Sequence, residues 1–304
     1  MKHVWSRLLI VATAVAALVP APSAGAPAAV STTLFTTPFV YKGYSWSLVA
    51  SNSGGTSSLL ISATKHAAGA TQTHVYTFQS GVSFSVSPTL SSATLVAHLG
   101  PYGTIRARFA GAGALKSRGL PPPCKGPKFS SRAGSLSGFA FVADTTFFKR
   151  VAKAPVAATI GRLGAGVQLN CGTGGKPPAG ALSLSGSATT GGIVSVSATK
   201  TAAGAVTQSV SVFEDQAKTA PATVFHTITT PAPTGSFTAA ADLSSASVNA
   251  AGPFLSGTLS FTASGASGNT ASGTLSGNYT AKFDVIGPQS PAAAGDLPGV
   301  LTRS

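Results

Sequence analysis

The sequence predicts an all-β fold built as two tandem antiparallel barrel or sandwich domains related by internal duplication. Three observations predict it. Apolar residues recur with a period of two, Gly- and Pro-containing turn signals separate the runs, and three segments of the first half return in order in the second. No stretch after the N-terminal segment sustains a helical period.

Residues 1–28 read as a signal peptide. Lys2 and Arg7 precede the apolar run Leu8–Val19, and Ala24-Gly25-Ala26 fits a small-residue cleavage site. That run is shorter than the roughly 20 residues a spanning helix needs. The expectation is a secreted, extracellular protein with no transmembrane segment in the mature chain. Charged residues make up only 9% of the sequence, a level that would also suit a disordered chain. The 16 Phe, 5 Tyr and many Val, Ile and Thr residues decide instead for a folded chain with a polar, uncharged exterior.

A first domain is expected over 32–176. Leu59/Ile61/Ala63, Phe84/Val86, Ile105/Ala107/Phe109 and Phe139/Phe141/Ala143 give its period-two strands. A second is expected over 177–287, from Val194/Val196/Ala198, Val210/Val212, Leu259/Phe261/Ala263 and Tyr279/Ala281/Phe283/Val285. The Gly/Pro stretch Thr173–Gly180 is the expected join. The Pro-, Ala- and Gly-rich stretch 288–304 is expected to be a disordered tail.

The repeat is read from three matches. Ser62–Phe78 and Ser197–Phe213 share 10 identities over 17 positions, each reading as a hairpin around "AAGA". Phe84–Leu95 faces Phe237–Val248, and Gly134–Asp144 faces Gly273–Asp284. On this alignment His66 corresponds to Thr201 and His74 to Ser209, so neither histidine is kept in both copies.

The copies differ most over an insertion at about 110–133, and they differ in charge. Val30–Lys176 carries 14 Lys/Arg against one acid, a net +13; Pro177–Ser304 carries 4 against 5, a net −1. The insertion holds Lys116, Arg118, Lys125, Lys128, Arg132 and Cys124. Cys171 is the second of two cysteines, and in an exported chain the pair is read as a disulfide. Closing 46 intervening residues would contribute on the order of 3–4 kcal/mol.

Arg106 and Arg108 alternate with Ile105, Ala107 and Phe109, so both point away from the apolar face of their strand. Together with the basic insertion they form a candidate anion-binding surface. The same charges also suit a solubilising stripe, and the sequence leaves both readings open.

Six acids and four histidines remain after the signal segment, with no spacing that marks a nucleophile–base pair, a phosphate loop or a metal cluster. The expectation is a protein without enzymatic activity, cofactor or metal.

Seven or eight hairpin-linked strands per copy, with "GYSW" at Gly43–Trp46, resemble the secreted tandem lipocalin-like (calycin-type) β-barrel proteins of bacteria. The resemblance is architectural. It implies a barrel whose interior holds one small apolar ligand. Two functions are therefore expected: binding of anionic cell-envelope polymers through the basic first domain, or a lipocalin-like carrier. Whether Phe84, Phe109, Phe139 and Phe141 fill the first barrel or line a cavity discriminates between them.

Overall fold

The computed structural model of the protein describes residues 30–41, 43–67, 70–100, 103–118, 129–141, 155–163, 179–188, 194–213, 222–230, 235–281 and 297–303. Residues 1–28, read above as a signal peptide, and Cys124, Cys171, Lys125 and Lys128 lie outside these residues. Every ladder among the described residues is antiparallel, and no helix there is long and apolar enough to cross a membrane. The all-β expectation holds.

The first half contributes β1 (Ser31–Thr36), β2 (Phe39–Tyr41), β3 (Tyr44–Ser53), β4 (Thr56–Ala67) and β5 (Ala70–Phe78). It continues with β6 (Val82–Val86), β7 (Ser92–His98), β8 (Thr104–Gly111), β9 (Lys116–Arg118), β10 (Phe129–Phe141) and β11 (Val156–Leu163). The second half contributes β12 (Leu182–Ala188), β13 (Val194–Lys200), β14 (Val206–Phe213), β15 (Ala222–Thr230) and β16 (Gly235–Ala239). It ends with β17 (Ser245–Ala251), β18 (Leu255–Ser267), β19 (Thr270–Ala281) and β20 (Leu297–Arg303).

Both halves follow one wiring. In the first, β5-β4-β3-β1-β11-β10-β8-β7-β6 are neighbours; in the second, β15-β14-β13-β12-β20-β19-β18-β17-β16. Each sheet then curls back until β6 meets β3 and β4, and β16 meets β13 and β14. Side chains close that gap. Asn52 Nδ2 donates to the Phe84 carbonyl at 3.3 Å, and the Phe84 amide donates to Ser57 Oγ at 3.2 Å. In the second half Gln208 Nε2 donates to the Asn249 carbonyl at 2.7 Å.

The registers give a residue-by-residue correspondence. Leu136 faces Phe109 and Val156, as Leu275 faces Phe261 and Leu297. Continuing from ladder to ladder matches Ile160 with Leu301, Leu34 with Leu184, Ala50 with Ala198, Leu59 with Gln208, and Phe78 with Thr230. Four residues before Phe78 and Thr230 stand His74 and His226. Two of the three sequence matches fall on corresponding strands. The third does not: Ala198 was aligned with Ala63 but stands where Ala50 stands. The "AAGA" likeness thus links hairpins one strand out of step, because neighbouring hairpins of a meander ask for the same turn chemistry.

The turn between β6 and β7 repeats closely between β16 and β17. Leu90 and Leu243 are its only non-glycine positive-φ residues among those described, at 57° and 61°. A left-handed leucine costs about 1–2 kcal/mol. Burying its side chain contributes about 1.5–3 kcal/mol, and both leucines are buried, so burial outweighs the strain. The backbone is then held from below. Arg162 donates to the Pro88 and Ser87 carbonyls at 2.8 and 3.2 Å, and Arg303 donates to the Ala241 and Ala240 carbonyls at 2.6 and 2.9 Å. Beside Leu243, the Ser244 hydroxyl and then its amide hold the Asp242 carboxyl below its ordinary range.

Two hydrophobic clusters fill the halves, one around Trp46, Phe78, Phe84 and Phe109, the other around Phe237, Phe261 and Tyr279. The strands that join them are β5 and β15, paired from Ala222↔Phe78 to Thr229↔Thr71. Each serves both clusters. Ala70 of β5 packs in the second core while Tyr76 and Phe78 pack in the first; Val224 of β15 packs in the first core while Ile228 packs in the second.

The expected disordered tail is corrected. Residues 297–303 form β20, laddered to both β12 and β19, with Leu301 fully buried. Leu297, Gly299 and Leu301 alternate inward, and a Cβ on Gly299 would lie 2.0 Å from Leu275 Cδ1, so the glycine makes room for the core. A Pro/Ala/Gly-rich composition concealed that period. The insertion expected at about 110–133 is likewise partly ladder, since its ends belong to β8 and β10 and its middle supplies β9. A chain ending at residue 296 is expected to lose the second core. Limited proteolysis should then cut within 182–281 while the first half resists; resistance of both halves would contradict the role given to β20.

Candidate functional site

Arg106 and Arg108 project from β8 as expected, exposed at alternate positions between buried Ile105, Ala107 and Phe109. They line one groove of about 560 Å³ on the outer face of β7, β8 and β10. Thr94 and Val96 of β7 stand opposite Arg108 and Arg106, and Ser137 and Gly138 of β10 form the other wall. Gly138 has φ 126°, and a Cβ there would sit 2.4 Å from the Arg106 carbonyl oxygen, so only glycine lets β10 approach β8 this closely. Arg106 and Arg108 line the groove together with Thr94, Thr104 and Ser137; the Ser137 hydroxyl donates to the Arg108 carbonyl at 3.5 Å, and Thr104 Oγ1 lies 3.4 Å from His98 Nδ1. In the second half the register puts Thr258 and Ser260 at the arginine positions.

The other predicted anion contacts do not all converge there. Lys116 is exposed on β9 opposite Ser131, and Arg118 ends that strand opposite Phe129. From Ser131 to Ser137, opposite Arg108, β10 runs six residues, or about 20 Å at 3.3 Å per residue. That exceeds the roughly 8 Å screening length at physiological salt, so Lys116 extends a track and does not complete the groove. Arg132 is corrected: it lies half-buried, donating to the Gly113 carbonyl at 3.0 Å, with its side chain against Gly111. It buttresses the loop after β8.

A second constellation escaped the sequence. His74 and His226, 152 positions apart, sit directly opposite each other on the β5–β15 ladder with Nδ1 atoms 2.6 Å apart. Both are buried, 0% and 2% exposed. Their rings meet edge-on with centroids 4.8 Å apart. Tyr44 lies 6.0 Å from His74, and Lys65 Nζ stands 5.5 Å above the Tyr44 ring. Sequence alignment had set His74 against Ser209, one strand out of step; the two histidines in fact occupy corresponding positions. In the second core Tyr279 donates to Gln208 Oε1 at 3.0 Å, and burial pushes the tyrosine hydroxyl well above its ordinary range.

No family description and no curated protein matches this sequence. Two solved structures are similar to it. One is an AttH candidate from Nitrosomonas europaea, 10% identical, covering 90% of this chain and 92% of that one, with a TM-score of 0.25. The other is kievitone hydratase from Nectria haematococca, 8% identical, covering 91% and 89%, also with a TM-score of 0.25. One of these structures is a hydratase, and the expectation of a protein without enzymatic activity is withdrawn on that finding. A TM-score of 0.25 assigns this chain no reaction.

The two kinds of arginine should separate on substitution. Arg106→Ser and Arg108→Ser are expected to change stability by no more than about 0.5 kcal/mol, as exposed positions do. Arg162→Ala loses two carbonyl contacts and should cost about 1–3 kcal/mol. Urea denaturation midpoints check the contrast; equal effects would contradict it.

Proposed function

We propose that the protein is secreted and binds anionic cell-envelope polymers through the basic outer face of its first half. One observation carries the reading: Arg106 and Arg108 line a single groove, while the corresponding positions of the second half are Thr258 and Ser260. Alternate strand residues lie about 6.6 Å apart, so the two guanidinium groups meet successive charges of an extended polymer more readily than one compact ion. Guanidinium forks favour phosphate, sulfate and carboxylate oxygens. Lys116 on β9 lengthens the positive track, and Lys125 and Lys128 add to the net positive charge of this half of the sequence. The net +13 of residues 30–176 steers polyanions to this half.

The carrier reading gains no support. Phe84 and Phe109, two of the side chains that would line a lumen, belong to the packed first core. The side chains of Phe139 and Phe141 lie outside the described residues.

Heparin and long-chain polyphosphate serve as probes for the mature protein. Binding should weaken with salt, because each neutralised anionic group releases condensed counterions. The double variant Arg106→Ser/Arg108→Ser should flatten the slope of log affinity against log salt by about 1.4–1.8, the share of two contacts. An unchanged slope would overturn the assignment to this groove.

A further inference from the structure

We infer that the β5–β15 seam is a twofold, self-complementary interface, and that outside the chain it fits a second copy of this chain, β5 against β5 and β15 against β15. Strand β5 reads ATQTHVYTF and strand β15 reads ATVFHTITT. Aligned from Ala70 and Ala222, they carry the same residue at four of nine positions. These are Ala70 and Ala222, Thr71 and Thr223, His74 and His226, and Thr77 and Thr229. The correspondence traced from ladder to ladder, which matches Phe78 with Thr230, gives the same alignment independently.

The register completes a symmetry. Thr71 faces Thr229, His74 faces His226 and Thr77 faces Thr223 on antiparallel strands. Each residue before His74 thus stands opposite the counterpart of the residue equally far after it. A local twofold axis runs between His74 and His226. In an isologous contact one patch meets itself, as in twofold dimers. Here a single chain supplies both patches.

Putting β5 of a second copy in place of β15, turned about this axis, keeps the pairing. Thr71 meets Thr77, Ala70 meets Phe78 as Ala222 now does, and His74 meets His74. Gln72 takes the place of Val224 opposite Tyr76. In the seam of two β15 strands, Val224 meets Ile228 and Thr223 meets Thr229. Neither strand holds Asp, Glu, Lys or Arg, so no such pairing sets those charges against each other. Two chains joined this way hold two seams, as two separate chains do, so the ladder energies nearly cancel. Covalent tethering then decides, and it gives an effective concentration on the order of millimolar. Single chains prevail well below that range, and dimers gain as it is approached.

Refolding the full chain from denaturant at about 10 µM and at about 1 mM tests this, with products resolved by size-exclusion chromatography and light scattering. The dimer fraction should rise on the order of twentyfold between the two, by mass action at a dissociation constant of about 1 mM. To identify the paired strands, Thr73→Cys chains are refolded together with Val75→Cys chains. Positions 73 and 75 stand opposite only when β5 meets β5, at a Cα separation of about 4.5–5.5 Å that a disulfide spans. Peptide mass spectrometry should find a covalent dimer linked through these two positions. A wild-type chain that stays single at about 1 mM would overturn the inference, even if neither variant folds. So would a dimer of folded variants that carries no link between positions 73 and 75.

Discussion

The β5–β15 ladder is the contact on which the rest of the architecture depends. In a meander that closes on itself, β5 would lend its free edge to β6. Here that edge is taken by β15, and the edge of β15 by β5. Each half is thereby left one ladder short of a closed barrel, and the deficit is met by side chains. Asn52 and Ser57 tie β6 to β3 and β4, and Gln208 ties the β16–β17 hairpin to β14. A neutral hydrogen bond contributes only about 0.5–1.5 kcal/mol net, whereas leaving its buried partner unmet costs about 1–3 kcal/mol. These contacts act chiefly by making other arrangements of the edge costly.

The same geometry explains why polar groups sit where two apolar cores meet. Side chains on one face of β5 pass from the second core at Ala70, through Gln72 and His74, to the first core at Tyr76 and Phe78. A wholly apolar seam would fuse the cores with no preferred register. A directional Nδ1···Nδ1 bond at its centre fixes His74 against His226 and with it the register of the strand pair. The surface follows a different rule. The groove of Arg106 and Arg108 stands on strands that contribute their opposite face to the first core, so its charges vary at little cost to the fold, and the second half carries Thr258 and Ser260 there.

Much of the fold was legible in the sequence because period-two burial is a local signal. Ile105, Ala107 and Phe109 are buried and Arg106 and Arg108 exposed, as their alternation requires. The matches of Phe84–Leu95 with Phe237–Val248 and of Gly134 with Gly273 marked corresponding strands. What stayed hidden was non-local. No spacing rule brings His74 to His226, since their meeting depends on which strand edge is left open. The tail was misread because Pro298 and Gly299 outweighed the alternation of Leu297 and Leu301. Arg132 was misassigned because alternation gives the face of a strand and says nothing of a carbonyl, here that of Gly113, waiting at its end.

The most direct measurement is the nitrogen–nitrogen coupling across the hydrogen bond between the imidazole rings, recorded by NMR on the full chain with ¹⁵N-labelled histidine at neutral pH. A through-bond correlation should link Nδ1 of His74 to Nδ1 of His226, with a single slowly exchanging proton between them. Two independent imidazoles, each without such a correlation, would contradict the seam and the pairing of the two halves through it.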